Sequence, residues 1–107
     1  MIAVYLAALG KMYLDDGVMF DNPDDLNKAK QYLEEAKQVA ESLHEWDNEA
    51  AICNNLAGCY ELGLTDLATA AKYMGVAASV ASPNNPMKQE YQRRSANMVM
   101  RLTRSPG

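Results

Sequence analysis

Apolar side chains recur along this chain in steps of three and four, the spacing that gathers them on one face of an α-helix. The clearest run is Leu26, Ala29, Leu33, Ala36, Ala40 and Leu43, and a second with the same steps is Leu67, Ala70, Met74, Ala77 and Ala81. Helix punctuation lies between the runs. Asn22-Pro23-Asp24-Asp25 has the order of an N-cap, a proline at the first helical position and first-turn acids, and Asn85-Pro86 repeats the cap and the proline. Asp16-Gly17, His44 to Asp47, Gly63 to Thr65 and Ser82 to Asn85 supply the other breaks. The pattern predicts five helices, over about 2–16, 23–43, 47–62, 66–81 and 86–102, in one domain over 1–102 with a flexible tail at 103–107.

Alanines at the contact positions let helix axes approach closely, which suits antiparallel hairpins. Two are expected, at 2–43 and 47–81, with 86–102 as a capping helix, and they repeat one another. A shift of 41 residues carries Leu26, Ala29, Leu33, Ala36 and Ala40 onto Leu67, Ala70, Met74, Ala77 and Ala81. A shift of 47 carries Leu9, Gly10 and Tyr13 onto Leu56, Ala57 and Tyr60. The six-residue difference is expected as an insertion in the first turn, around Val18 to Pro23. Self-similarity at such a period marks stacked helical repeats.

Leu9-Gly10, Tyr13, Ala29, Leu33 and Ala36, and again Leu56-Ala57, Tyr60, Ala70, Met74 and Ala77 with Pro83 behind them, resemble the tetratricopeptide repeat. The stretch Asp47 to Ala50 followed by Asn55, Leu56, Ala57 and Tyr60 looks like the long repeats of kinesin light chains, polarity adaptors and bacterial peptide-sensing regulators. The sequence departs from the pattern in its longer first turn, in Met74 where an aromatic residue is usual, and in Trp46 lying ahead of its helix. The resemblance implies an all-α fold, a right-handed superhelical stack of antiparallel hairpins whose first helices line a concave groove. It implies a protein-interaction scaffold or adaptor that takes a peptide or helix of a partner protein. The groove candidates are Lys11, Asn48, Asn54 and Asn55, with Lys88, Gln92 and Arg93 from the closing helix. Ala7 and Lys11 stand where a family carboxylate clamp would place Lys and Asn, so that clamp is not expected.

Composition sharpens the class. Of the 107 residues 49% are hydrophobic but only 7% aromatic, so alanine and methionine carry the apolar share, favouring packed helices over strands. The net charge of −4, with no basic stripe along the chain, argues against a nucleic-acid partner. No apolar run reaches the length of a membrane span. The apolar opening from Met1 to Gly10 lacks a basic n-region and runs on into the helical pattern, so no leader peptide is expected. Cys53 and Cys59 lie about 120° apart around a helix and form no C-x-x-C pair, so they are expected as reduced core residues of a cytoplasmic protein.

Catalytic and cofactor chemistry is not expected. His44 is the only histidine, at a helix end where the helix dipole favours it, and no nucleophile stands near it in sequence. The acids from Asp15 to Asp25 do not follow the alternation of a calcium loop. No metal pair, phosphate loop or nucleophile elbow is present. The six methionines after Met1 are expected mainly as gap fillers, except Met19, which with Phe20 must either tuck under the stack or meet a partner. Met87, Tyr91, Met98 and Leu102 are expected to face inward from the closing helix, with Arg93, Arg94 and Arg101 outside. Two hairpins and a cap are near the minimum for a repeat array, which implies a piece of a longer array or self-association. The alternative to an adaptor is therefore a structural subunit whose role is homo- or hetero-oligomerisation.

Overall fold

The computed structural model describes residues 2–104. They form five helices: α1 (Ile2–Met19), α2 (Pro23–Ser42), α3 (Trp46–Gly58, prolonged by a π-helical turn, Cys59–Gly63), α4 (Leu67–Val80) and α5 (Lys88–Arg104). There is no strand among the described residues. Each helix packs on the next, and α1 also touches α3. The short dimension of 20 Å equals two helix diameters, so the helices lie in two layers.

Local chemistry accounts for the helix ends. The Asn22 Oδ1 accepts the backbone N–H groups of Asp24 (3.0 Å) and Asp25 (3.4 Å), with Pro23 at the first position of α2. α2 stops when His44 turns left-handed (φ 57°), and the N–H groups of His44 and Glu45 return to the carbonyls of Glu41 and Ala40 in a Schellman arrangement. Asp66 starts α4 by accepting from the Thr69 N–H and hydroxyl (3.1 and 2.7 Å). The Asn85 side chain accepts the Met87 N–H (2.9 Å) just ahead of α5, two residues later than the Asn-Pro signal suggests. α5 continues through Arg104, two residues into the expected tail, and residues 105–107 lie outside the described residues.

The first turn is not where the extra residues went. Gly17 lies inside α1 and does not break it; the turn is only Phe20–Asn22, and α2 has 20 residues where α4 has 14. The added residues lengthened the hairpin because they prolong the seam by one more matched pair. A Cβ on Gly10 would come within 2.6 Å of the Leu33 Cγ, and one on Gly17 within 2.8 Å of the Leu26 Cγ. The two glycines are seven residues apart and so are the two leucines, so each leucine enters a hollow one heptad along an antiparallel seam. Leu26 also presses on Gly63, where a Cβ would come within 2.5 Å of its Cδ2. The π turn that brings Gly63 there closes with the Leu64 N–H on the Cys59 carbonyl (3.0 Å).

The sequence repeat has a counterpart in the packing. Tyr13 stacks on Tyr32 and Tyr60 on Tyr73, each pair with centroids 5.6 Å apart, at 7° and 20°. The shift of 47 carries Tyr13 to Tyr60, and the shift of 41 carries Tyr32 to Tyr73. The hydroxyls of Tyr60 (3.2 Å) and Tyr73 (3.3 Å) both donate to Glu34 Oε1, tying the second hairpin to α2.

Of the expected core stripes, Leu26, Ala29, Leu33, Ala36 and Ala40 are buried on α2 and Ala70, Met74 and Ala77 on α4, whereas Leu43 ends its helix exposed. The methionines divide differently from expectation. Met74 and Met98 are buried, but Met12, Met19, Met87 and Met100 are exposed, because the long seams are filled by leucine and alanine and leave no gaps at those positions. Tyr91 and Met98 face inward from α5 as expected, Leu102 is half-buried, and Met87 precedes the helix and faces out. Both cysteines are buried and unbridged, and burial pushes the Cys53 thiol up to about 12.

Two glycines of similar sequence context are expected to respond oppositely to alanine. Gly10→Ala gains helix propensity but drives a methyl into the branch point of the fully buried Leu33, and should lose about 1 kcal/mol net. Gly75→Ala meets only the Ser95 Oγ at 3.9 Å and should gain roughly 0.5–1 kcal/mol. Urea unfolding measures both as opposite shifts of the midpoint at constant slope.

Candidate groove between the first and third helices

α1 and α3 lie side by side and leave a shallow cavity of about 150 Å³, lined by Val4, Ala7, Asn48, Ala51, Ile52 and Asn55. The four α3 residues are spaced three, four and seven from Asn48, so they share one face, and Val4 and Ala7 are one turn apart on α1. Alanine on both walls keeps the floor low. Asn48 and Asn55 stand two helical turns apart along it, about 10.5 Å. The Asn48 Nδ2 donates to Glu45 Oε1 (3.2 Å), which orients its amide, while the Asn55 amide makes no hydrogen bond among the described residues. Each carboxamide can both donate and accept, so the groove offers a paired, uncharged polar edge over an apolar floor.

The groove begins beside a buried acid. Glu49, the residue after Asn48, is only 2% exposed and points between α2 and α3, where its Oε2 lies 3.5 Å from the Lys37 ammonium and its Oε1 has no partner. Burial holds its carboxyl above the usual range, nearby Glu41 adds to the effect, and Lys37 offsets it only in part. Asp47 is the contrasting case. It accepts from the Ser82 N–H (2.8 Å), the Ser82 hydroxyl (2.9 Å) and the Asn85 amide (3.0 Å), bonds that hold its carboxyl below the usual range and pin the start of α3 to the end of α4.

The residues singled out in the sequence do not form one site. Asn48 and Asn55 line the groove. Asn54, the neighbour of Asn55, turns towards α5 and accepts from the Arg94 guanidinium. Lys88 serves the fold, its ammonium donating to the carbonyls of Ala78 (3.0 Å) and Ala81 (2.6 Å) at the end of α4. Lys11 is exposed and paired with Asp15 (3.2 Å), and Arg93 is exposed and paired with Glu90 one turn earlier in its own helix. Gln92 is exposed on α5. Arg101 is exposed as expected and Arg94 is half-buried; both reach Glu61, Arg94 at 3.9 Å, and bound another depression of about 140 Å³ between α3 and α5. The groove residues that sequence reasoning missed, Val4, Ala7, Ala51 and Ile52, are small or apolar. Their signal was the helical spacing of 48, 51, 52 and 55.

Among the described residues no cluster of three His, Cys, Asp or Glu side chains could hold a metal ion, and no helix is long and apolar enough to cross a membrane. Comparison with protein-family models, with curated proteins and with solved structures finds no match to this chain.

The raised Glu49 carboxyl fixes the sign of a pH effect. Its folded-state pKa lies above the unfolded value of about 4.5, so the stability it contributes is fully present below that pH and is lost as pH rises through the folded value. Thermal unfolding from about pH 4 to about pH 8 should show the protein gaining stability relative to Glu49→Gln as the pH falls. A difference that did not change with pH would mean that the carboxyl titrates as it does in the unfolded chain.

Proposed function

We propose that this chain is a protein-interaction module that takes a short extended segment of a partner protein in the groove between α1 and α3. The observation that carries the reading is the pair Asn48 and Asn55 over an apolar floor of Val4, Ala7, Ala51 and Ile52. Their separation of about 10.5 Å matches three residues of extended chain at roughly 3.3 Å each, so the two amides can engage backbone groups of residues three apart in one peptide. A floor this shallow admits small apolar side chains between those points and leaves no room for large ones. Backbone pairing through carboxamides is indifferent to the ligand's charge, so selectivity falls to the small side chains and to the rims.

The tetratricopeptide-like pattern in the sequence supports the same reading, and with it a right-handed stack of the two hairpins. It would place α1 and α3 on the concave side and α5 as the cap. Two buried, unbridged cysteines favour a reducing compartment such as the cytoplasm. The groove contains no nucleophile or general base, so binding without chemical conversion is the activity it suits.

Selection of peptides from a random library on the purified chain, followed by titration of a selected peptide, tests the proposal. Ala51 is exposed, so Ala51→Arg fills the floor without touching the core and should abolish binding. Asn55→Ala removes one bonding amide and should weaken binding about tenfold, the equivalent of one to two hydrogen bonds. Peptides whose affinity is unchanged by Ala51→Arg would place the binding surface elsewhere and sink the proposal.

A further inference from the structure

A larger depression opens at the Asn48 end of the groove. It measures about 300 Å³ and is lined by His44, Glu45, Trp46, Asp47, Asn48 and Ser82, so Asn48 borders both spaces. A hydrogen bond joins them as well, because the Asn48 amide at the groove's edge donates to Glu45 Oε1 (3.2 Å). The turn from α2 into α3 builds this depression. His44 bends the chain left-handed there (φ 57°), and its ring packs at 56° against Trp46, with centroids 5.1 Å apart. Trp46 is the chain's only tryptophan and stands 44% exposed at the first position of α3.

The charges around the depression favour a cation. Two of its six lining residues are carboxylates, and no lysine or arginine lines it. Glu45 is half-buried and pairs with no cation among the described residues; one of its oxygens takes the Asn48 amide and the other makes no hydrogen bond there. Asp47 keeps its charge, since the bonds from Ser82 and Asn85 hold its carboxyl below the usual range. The start of α3 presents about half a positive charge at the same place, which two whole carboxylates outweigh. Lys88 acts on Asp47 from α5, but its ammonium is bonded to the Ala78 and Ala81 carbonyls and answers the opposite half-charge at the end of α4. An exposed indole beside a carboxylate can hold a guanidinium or ammonium by cation–π attraction on one side and an ion pair on the other. An anion would meet two carboxylates, and an apolar group would strip water from Glu45 without replacing it. The far end of the groove has no such surplus, because Lys11, which continues the Val4 and Ala7 stripe, is paired with Asp15 (3.2 Å).

We infer that this depression takes an arginine or lysine side chain of the same partner segment, at the end of the segment held by Asn48. The inference rests on the groove reading and adds the ligand's sequence: one basic residue, followed towards Asn55 by small ones. The shallow groove has no room for a long side chain, whereas the depression at its end has twice the volume. There the basic group lies against Trp46 and pairs with the free oxygen of Glu45, one helical turn from the amide that holds the segment's backbone. Arginine suits the site better than lysine, because a planar guanidinium can lie on the indole and still donate to the carboxylate from its edge.

Peptides selected on the purified chain should carry arginine or lysine at one end of a run of small residues, and their titration should change the emission of Trp46, the only indole present. Replacing that basic residue of the peptide by glutamine should weaken binding about tenfold, the combined worth of an exposed ion pair and a cation–π contact. Glu45→Gln keeps an acceptor for the Asn48 amide and loses only the charge; it should weaken the basic peptide about threefold and leave the glutamine peptide unchanged. Glu35→Gln, which removes the same charge from an exposed position on α2, should change neither. Three results would overturn this inference and leave the groove standing: binding that is lost in Ala51→Arg yet indifferent to the peptide's basic residue, emission of Trp46 unmoved by a bound peptide, or equal weakening by Glu45→Gln and Glu35→Gln. Binding untouched by Ala51→Arg would overturn both readings.

Discussion

The close approach of α1 and α2 governs this molecule. Leu33 and Leu26 reach the backbone of α1 because Gly10 and Gly17 have no side chains to keep them out, and a methyl at either position would overlap a leucine branch point. Glycine inside a helix costs of order 1 kcal/mol against alanine, so the seam is held together by packing gained at the expense of intrinsic helix preference. Leu26 extends the arrangement beyond the hairpin. Its side chain meets Gly17 on α1 and Gly63 at the end of α3, and its carbonyl receives the Cys59 thiol, so one residue joins three helices. The π turn after α3 follows from that contact, because the extra residue in the turn carries Gly63 alongside the leucine.

The proposed groove then depends on α3, which has a neighbour on several of its faces. One face meets α2 through Glu49, Cys59 and Tyr60. A second lines the groove through Asn48 and Asn55, and a third reaches α5 through Asn54 and Glu61. Asn54 and Asn55 are adjacent in sequence and serve opposite neighbours, which follows from the 100° between successive helical residues. A helix fixed on several sides can hold its two groove amides in place before a ligand arrives, which lowers the ordering cost of binding.

Much of this was legible in the chain. The period of three and four, the Asn22-Pro23 and Asn85-Pro86 starts and the shifts of 41 and 47 depend on local chemistry and on spacing, and they located five helices and the repeat. Gly17 was misread because a glycine that ends a helix and one that admits a leucine from another helix look identical until the partner is known. Exposed methionines on α1 could not be told from buried ones for a similar reason: an apolar stripe shows that a face wants to be covered, not that this chain covers it. The groove escaped because its floor is alanine, valine and isoleucine, residues that announce burial and not binding. Lys88 and Arg94 drew attention as charges, yet their partners are a helix end and an asparagine brought near only by the fold.

A strictly seven-residue seam also carries an ambiguity. Sliding α1 along α2 by one heptad would place Gly17 against Leu33 and Gly10 against Ala40, so a leucine would again meet a glycine. What forbids it is the tether. Phe20–Asn22 is too short to absorb a displacement of about 10.5 Å, which would take at least three further extended residues. The connection between the first two helices therefore acts as a ruler, and its length fixes which leucine meets which glycine. A natural insertion at this point would not simply loosen a surface loop. It would open a second register, in which Gly17 meets Leu33 and Leu26 leaves its three-helix junction.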